Sequence, residues 1–455
     1  MLEMMQLGGR GHSARPSSCL NRRSFLKIGA LTLGGLTLPN LLRVRQAQAA
    51  HQRKQTSAIF LWMHGGPSHI DTYDMKPDAV EEVRGPFQPI ETNLPGLQVC
   101  HLMPGHAKIA DRLAVVRSLH HEYGVHDDAN HLVQTGYPQL NARQNGQNHP
   151  CIGSIVSHLG NVGDRQMPPY VCIPEDYRNY MGFYESAAFL DAQHNALNGG
   201  GDPSLGNFRP PDFALPDGID LDRLESRSHL LRQLDAVQRS LDNNSQVRDL
   251  DDINQQALQL ICGNKARDAF DISQEPDAMK EKYGRHAWGK STLLARRLVE
   301  AGVSFVTVNF FEKDVDWWDD HYTLEKNLRA RLPVYDQVLC ALIDDLHQRG
   351  LSEEVLVIAC GEFGRAPRID AGGGRGHWPR AMHAVLSGAG VKEGQIIGST
   401  TRDGGEPKDR PLTPGDLLAS IYELLGIDYQ STVLDRQNRP VPIIQQGEPI
   451  RELFA

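Results

Sequence analysis

Hydrophobic positions fall into short unbroken runs separated by longer stretches of helical period. "SAIFLWMHGG", Ser57 to Gly66, is continuously apolar and ends in Gly-Gly. That is the pattern of a parallel strand buried on both faces, whose carboxyl end delivers the chain into a loop. "PPYVCIP", "VSFVTVNF", "EEVLVIAC" and "MHAVLSGAG" predict further strands. In "HAKIADRLAVVRSL", Ile109, Leu113 and Val116 recur at helical spacing before a short strand. "LDRLESRSHLLRQLDAVQRSL", "DAMKEKYGRHAWGKSTLLARRLVEAG" and "LPVYDQVLCALIDDLHQRG" each predict a helix. "TPGDLLASIYELLGI" predicts one capped by Thr413. Ile152, Ile155, Val156 and Leu159 predict the buried face of another. Residues 196–218 are rich in Gly and Pro and predict a long loop or flap. No internal repeat interrupts the alternation. It predicts an α/β fold with a mostly parallel central sheet and helices on both faces. Polar ligands of such sheets bind at the carboxyl ends of the strands.

The first 49 residues stand apart. Arg22-Arg23 precede "SFLK", a modestly apolar run from Ile28 to Leu42, and the small residues of Ala47-Gln48-Ala49. This reads as a twin-arginine export signal. The apolar run is shorter than the roughly 20 residues a membrane span needs. The expected location is periplasmic, or otherwise exported, with the twin-arginine translocase as a transient partner. Residues 1–49 carry seven basic side chains against the one acidic Glu3, so of the formal net charge of −9 the remaining chain carries −15. That balance argues against nucleic acid as a partner. No other stretch is long and apolar enough to span a membrane. Residues 50–455 are expected to form one domain, with the Gly/Pro-rich loop and a helical insertion at about 190–290. Cys100, Cys151, Cys172, Cys262, Cys340 and Cys360 remain after Cys19 leaves with the signal. None forms a C-x-x-C pair, so a zinc ribbon or thioredoxin-like site is not expected. Cys340 and Cys360 sit in apolar runs and read as buried free thiols. Phosphate-binding glycine motifs are missing, and "AGGGRG" follows no strand directly.

Each predicted central strand empties into carboxylates and imidazoles. The first ends at His64, followed by Ser68, His69, Asp71 and Asp74. "VSFVTVNF" leads to Asp316, Asp319, Asp320 and His321. "EEVLVIAC" leads to Glu362 and Arg365, and the next loop holds Arg375 and His377. This mixture of hard oxygen and borderline nitrogen donors suits Zn²⁺, Mn²⁺, Ca²⁺ or Mg²⁺. His64, Asp71, Asp319, His321, Glu362 and His377 are the candidate ligands. Arg365 and Arg375 can clamp a phosphate or sulfate or pair with nearby carboxylates. Trp317, Trp318 and Trp378 can stack on a sugar or simply pack. "VHDDANHLVQTGYP" places His126, Asp127, Asp128, Asn130 and His131 together. The acidic pair also suits the positive end of a helix.

The motifs "HGGPSHIDTYDMKP", "LLARRLVEAGVSFVTVN", "WDDH", "GEFGRAP" and "GRGHWP" cover nearly all of the chain after residue 49, and by them it resembles the exported family filed as domain of unknown function 1501. More remotely, "MPGHAKIADRLAVVRSLHHEYGVHDDANHLVQTGYP" and the C-terminal "MHAVLSGAGVKEGQIIGSTT" resemble sulfatases of the alkaline phosphatase superfamily. The resemblance implies an alkaline-phosphatase-like three-layer sandwich. It puts His126 where a sulfatase has its formylglycine-forming cysteine, and Asn130 where the companion arginine stands. It aligns His64 and Gly65 with the adjacent aspartates after the first strand. Asp319, His321 and His377 resemble metal ligands. Glu362-Phe363-Gly364 replaces Asp-His-Gly, so one imidazole is lost and the metal set is altered.

The residues and the resemblance together suggest an exported, metal-dependent hydrolase acting on a small-molecule or polysaccharide ester of sulfate or phosphate. His126, Asp127, Arg365 and Arg375 are the candidate catalytic residues. With no Ser, Thr or Cys at the nucleophile position, direct attack by water or a histidine-assisted step is expected, and Ser68 is a weak substitute. The alternative is a metal-stabilised binding or scaffold protein that kept the fold and lost the chemistry. A redox enzyme lacks any cofactor motif here.

Overall fold

Side chains of Ser57–Trp62 alternate between two apolar cores. Ile59 and Leu61 enter one, Ala58, Phe60 and Trp62 the other, and the whole strand is buried. A strand covered on both faces has no polar side to show, hence its unbroken apolar text. The computed structural model describes residues 56–160, 166–174, 185–206, 208, 210–211, 264–310 and 318–454. The twin-arginine segment, Cys19, the stretch "LDRLESRSHLLRQLDAVQRSL" with most of the expected insertion, Cys262, Asp316 and Trp317 lie outside them.

Among the described residues eight strands build the sheet: β1 (Ser57–Trp62), β2 (Ala114–Leu119), β3 (Tyr170–Ile173), β4 (Leu197–Asn198), β5 (Phe305–Asn309), β6 (Val355–Cys360), β7 (Met382–Ser387) and β8 (Gln395–Ile397). Their order is β8-β2-β7-β6-β1-β5-β3-β4. β7 pairs antiparallel with β2 and β6. Every other pairing in this sheet is parallel. Helices α1 (His126–Thr135), α2 (Ile152–Leu159), α3 (Ala287–Glu300), α4 (Leu324–Arg349) and α5 (Pro414–Leu424) complete the sandwich. Buried residues of α3 and α4 join the core of Ile59 and Leu61. Those of α1, α2 and α5 join the core of Phe60 and Trp62. The chain thus has the expected α/β class, with helices on both faces. Among the described residues no helix is long and apolar enough to cross a membrane.

Several boundaries differ from the sequence reading. Ile109, Leu113 and Val116 do not share a helix: the helix stops at Ile109, and Val116 lies in β2. Complete burial of the segment hides the choice of period. Residues 277–300 form two helices, because Gly284 takes φ 94° and His286 caps α3 by accepting from Gly289 N. α4 starts at Leu324 and continues through Pro333. Its buried Leu328, Leu332, Tyr335, Leu339 and Leu342 hold it against the hydrogen bond that proline removes. Thr413 caps α5 in a reciprocal pair with Asp416, a device that contributes about 1 kcal/mol. Ile152, Ile155 and Val156 are buried along α2, with Leu159 packed at its edge. Residues 197–198 of the Gly/Pro-rich segment add the short edge strand β4. Cys360 is a buried free thiol, whereas Cys340 is only partly buried.

Candidate functional site

The carboxyl end of β1 opens the site. His64 follows it, and Gly65 then takes φ 105°, with so little room that a Cβ would sit 2.6 Å from Asp319 N. Trp318 N donates to His64 O, which ties the loop "WDDH" to the loop after β1. Gly374 does the same for the loop "GRGHWP": a Cβ there would meet His321 O at 2.0 Å. Two glycines therefore allow three distant loops to meet. The fourth contributor is α1, whose first residue is His126.

Asp319 is the centre of the cluster. His377 Nε2 lies 3.1 Å from its Oδ1, and His321 Nε2 also lies 3.1 Å from that oxygen. His126 Nε2 lies 3.2 Å from its Oδ2. The Nε2 atoms of His321 and His377 are 2.9 Å apart. His126, Asp319 and His377 each offer one ligand atom, all within 4.8 Å of one another. Bonds of about 2.0–2.1 Å to a tetrahedral ion put its ligand atoms roughly 3.3–3.4 Å apart, close to these separations.

The outer partners fit the same reading. His126 Nδ1–H donates to Glu362 Oε1 at 2.6 Å, and His377 Nδ1–H donates to Gly124 O at 2.7 Å. Both rings therefore turn Nε2 toward Asp319, in the carboxylate–histidine and carbonyl–histidine pattern of metal sites. Glu362 is itself fixed by Gly65 N, at 2.8 and 3.1 Å. Arg365 is buried and donates to Asp319, Gly65 O and Gly66 O, so it holds the central carboxylate in place. His64 Nε2 meets Asn130 Nδ2 at 3.0 Å, and its ring stacks 5.8 Å from His126. Phe363 packs against both His126 and His377.

The electrostatics follow from these contacts. Burial opposes charge on His126, but the carboxylates of Asp319 and Glu362 outweigh it and push its pKa up to about 9. Burial would raise the Asp319 carboxyl, yet His126, His377 and Arg365 hold it well below the usual range. Desolvation lowers His64 despite Glu362 nearby, which keeps that ring neutral.

Not every candidate joins the cluster. Asp71 and Arg375 pair with each other in the interior, at 2.8 Å and with neither exposed. Arg375 spends its other donors on Val83 O and Pro367 O, and Asp71 also accepts from Ser68 Oγ. Metal binding by Asp71, anion clamping by Arg375 and nucleophilic use of Ser68 all lose their free atoms to these bonds. Arg365 reaches Asp319 rather than open space. Asp320 pairs with Arg331, Asp74 accepts from Thr400 and Lys76, and His69 Nε2 meets Gly404 O. Trp318 is buried and stacks on Trp288, and Trp378 Nε1–H donates to Gly405 O. His131 turns to Tyr137 O.

Beside the ligand atoms lies a cavity of about 310 Å³ lined by Gly124, Val125, His126, Asp127, Arg143 and His377. Asp127 thus faces the cavity. Arg143 carried no signal in the sequence: it stands in "NARQNG", a polar stretch without periodicity.

The chain matches, over residues 55–454, the family described as "Protein of unknown function (DUF1501)". No curated protein matches it. Among solved structures it is similar to a protein of the alkaline phosphatase superfamily from Vibrio parahaemolyticus, with 11% identity over 89% of this chain and 72% of that chain and a TM-score of 0.40. It is similar to a sulfatase from Pseudoalteromonas sp., with 12% identity over 85% and 70% and a TM-score of 0.35. A phosphonate monoester hydrolase from Silicibacter pomeroyi gives 11% identity over 87% and 76% and a TM-score of 0.34.

Proposed function

The chain belongs to the DUF1501 family, and from its site we propose that it is an exported, divalent-metal-dependent hydrolase of sulfate or phosphate esters. One observation carries the reading. His126, Asp319 and His377 present three ligand atoms to one point beside a cavity, with both histidine rings oriented by outer partners. Two imidazoles and a carboxylate suit Zn²⁺ or Mn²⁺ better than the all-oxygen preference of Ca²⁺ or Mg²⁺. When bound, the ion would polarise the ester oxygen it meets.

The protein's own groups divide the remaining work. Glu362 and Gly124 O fix the two histidine tautomers. Arg365 keeps Asp319 ionised and turned toward the rings. Phe363 gives the site an apolar wall. Among the described residues the cavity lining holds no hydroxyl or thiol, and the proposed nucleophile is water. Asp127 accepts its proton, the ester bond breaks, and the same proton is available for the leaving alcohol. A cavity of about 310 Å³ takes the ester group and its immediate neighbours, and a polysaccharide would present one residue at a time.

Metal analysis of the protein from its native compartment, joined to a screen of generic sulfate and phosphate esters, tests this. About one Zn²⁺ or Mn²⁺ per chain and turnover abolished by a chelator are expected. Stoichiometric metal with no ester hydrolysed would instead favour the scaffold alternative. Export is a separate part of the proposal. Changing Arg22-Arg23 to Lys-Lys is expected to leave precursor in the cytoplasm, as cell fractionation would show. Unimpaired export with cleavage near Ala49 would refute the signal.

A further inference from the structure

We propose that Arg143 is the residue that recognises the negative charge of the substrate, so that the ester must be an oxyanion, a sulfate or phosphate monoester, and not a neutral ester. This rests on the hydrolase reading of the same site. The two arginines that the sequence put forward as anion clamps are already committed: Arg365 to Asp319 and backbone carbonyls, Arg375 to Asp71. Among the described residues Arg143 is the arginine in the lining of the cavity, where it stands with His126, Asp127 and His377. It is exposed and makes no ion pair or side-chain hydrogen bond with a described residue. A guanidinium beside a site with no partner among the described residues suits an anion receptor.

The position of Arg143 is held from the site itself. It lies in the helical turn Ala142–Asn145, which Asn141 enters at φ 57°. Asp128 Oδ1, two residues after His126 on α1, accepts from Ala142 N at 2.8 Å. The helix that carries His126 thus also anchors the turn that carries Arg143. An oxyanion in the cavity would meet Arg143 together with the groups of His126 and His377. The neighbouring carboxylate of Asp127 repels an anion that lacks this counter-charge, which gives Arg143 a selective role as well as an attractive one.

The probes are inorganic phosphate and inorganic sulfate. Each is titrated calorimetrically into metal-supplemented wild type, Arg143→Ala and Arg143→Lys, with metal content measured in parallel. Arg143→Ala is expected to weaken binding at least about tenfold with metal content unchanged, and Arg143→Lys to fall between, because lysine keeps the charge but not the two-pronged geometry. The preferred anion separates sulfate from phosphate chemistry. Equal affinity in wild type and Arg143→Ala, both holding metal, overturns the proposal. Arg143-dependent binding by a protein that takes up no metal leaves it standing and overturns the metal-dependent reading instead.

Discussion

His126→Ala is expected to lower divalent-metal affinity by about 100-fold or more, and ester hydrolysis with it. The ring supplies one of three converging ligand atoms, and its outer partner Glu362 is buried and fixed by Gly65 N. Losing an outer partner alone typically costs 10–100-fold, and loss of the ligand exceeds that. His131→Ala is the contrast. It lies on the same helix, with Nδ1 on Tyr137 O at 2.7 Å, and points away from the cluster. Its removal takes one donor from the part-buried Tyr137 O, which keeps Thr135 Oγ1 at 3.4 Å, at about 1 kcal/mol, and leaves metal binding intact. Competition with a metallochromic chelator gives the affinities, and thermal melting with metal removed gives the stabilities. Small and equal effects on affinity from both variants would reduce "VHDDANH" to a polar helix start.

The contrast between those two histidines marks how far the sequence could be read. The strands were legible because burial on both faces leaves unbroken apolar text, as in Ser57–Trp62. The meeting of His64, Asp319, His321, Glu362 and His377 was legible through topology: parallel strands deliver their following loops to one edge, whatever the separation along the chain. Commitments between side chains were not. Asp71 and Arg375 look like ligand and clamp in isolation, and only the fold shows that they neutralise each other across 304 residues. Arg365 likewise serves Asp319 instead of a substrate. Arg143 escaped for the opposite reason. Its importance comes from a pin between Asp128 and Ala142, a contact with no period and no motif. The break at Gly284 was written in the text, but a glycine within a helical pattern is often tolerated, so only the cap from His286 decides it.

The adjacent aspartates of "WDDH" should separate function from stability. Asp319→Asn is expected to lose metal affinity by about 100-fold or more, since the carboxylate is the shared neighbour of His126, His321 and His377 and an amide is a poor ligand for a borderline ion. Its stability cost, measured in chelator, should be smaller. Asp319 is partly open to solvent, and Arg365 keeps its carbonyl acceptors Gly66 O and Arg375 O. Asp320→Asn should do the reverse. Asp320 is buried, 2.7 Å from an equally buried Arg331, and also accepts from Asn327. Neutralising it removes the carboxylate charge that faces a buried guanidinium, at about 3 kcal/mol, while the ligand atoms stay where they are. Calorimetric melting of both proteins in chelator, followed by metal titration of each, reads the two effects separately. Should Asp320→Asn lose metal as severely as Asp319→Asn at a temperature where both are folded, the centre assigned to Asp319 is misplaced. Should Asp319→Asn only melt earlier and still hold its ion, that carboxylate is one more buried counter-charge, and the cluster around it is a structural one.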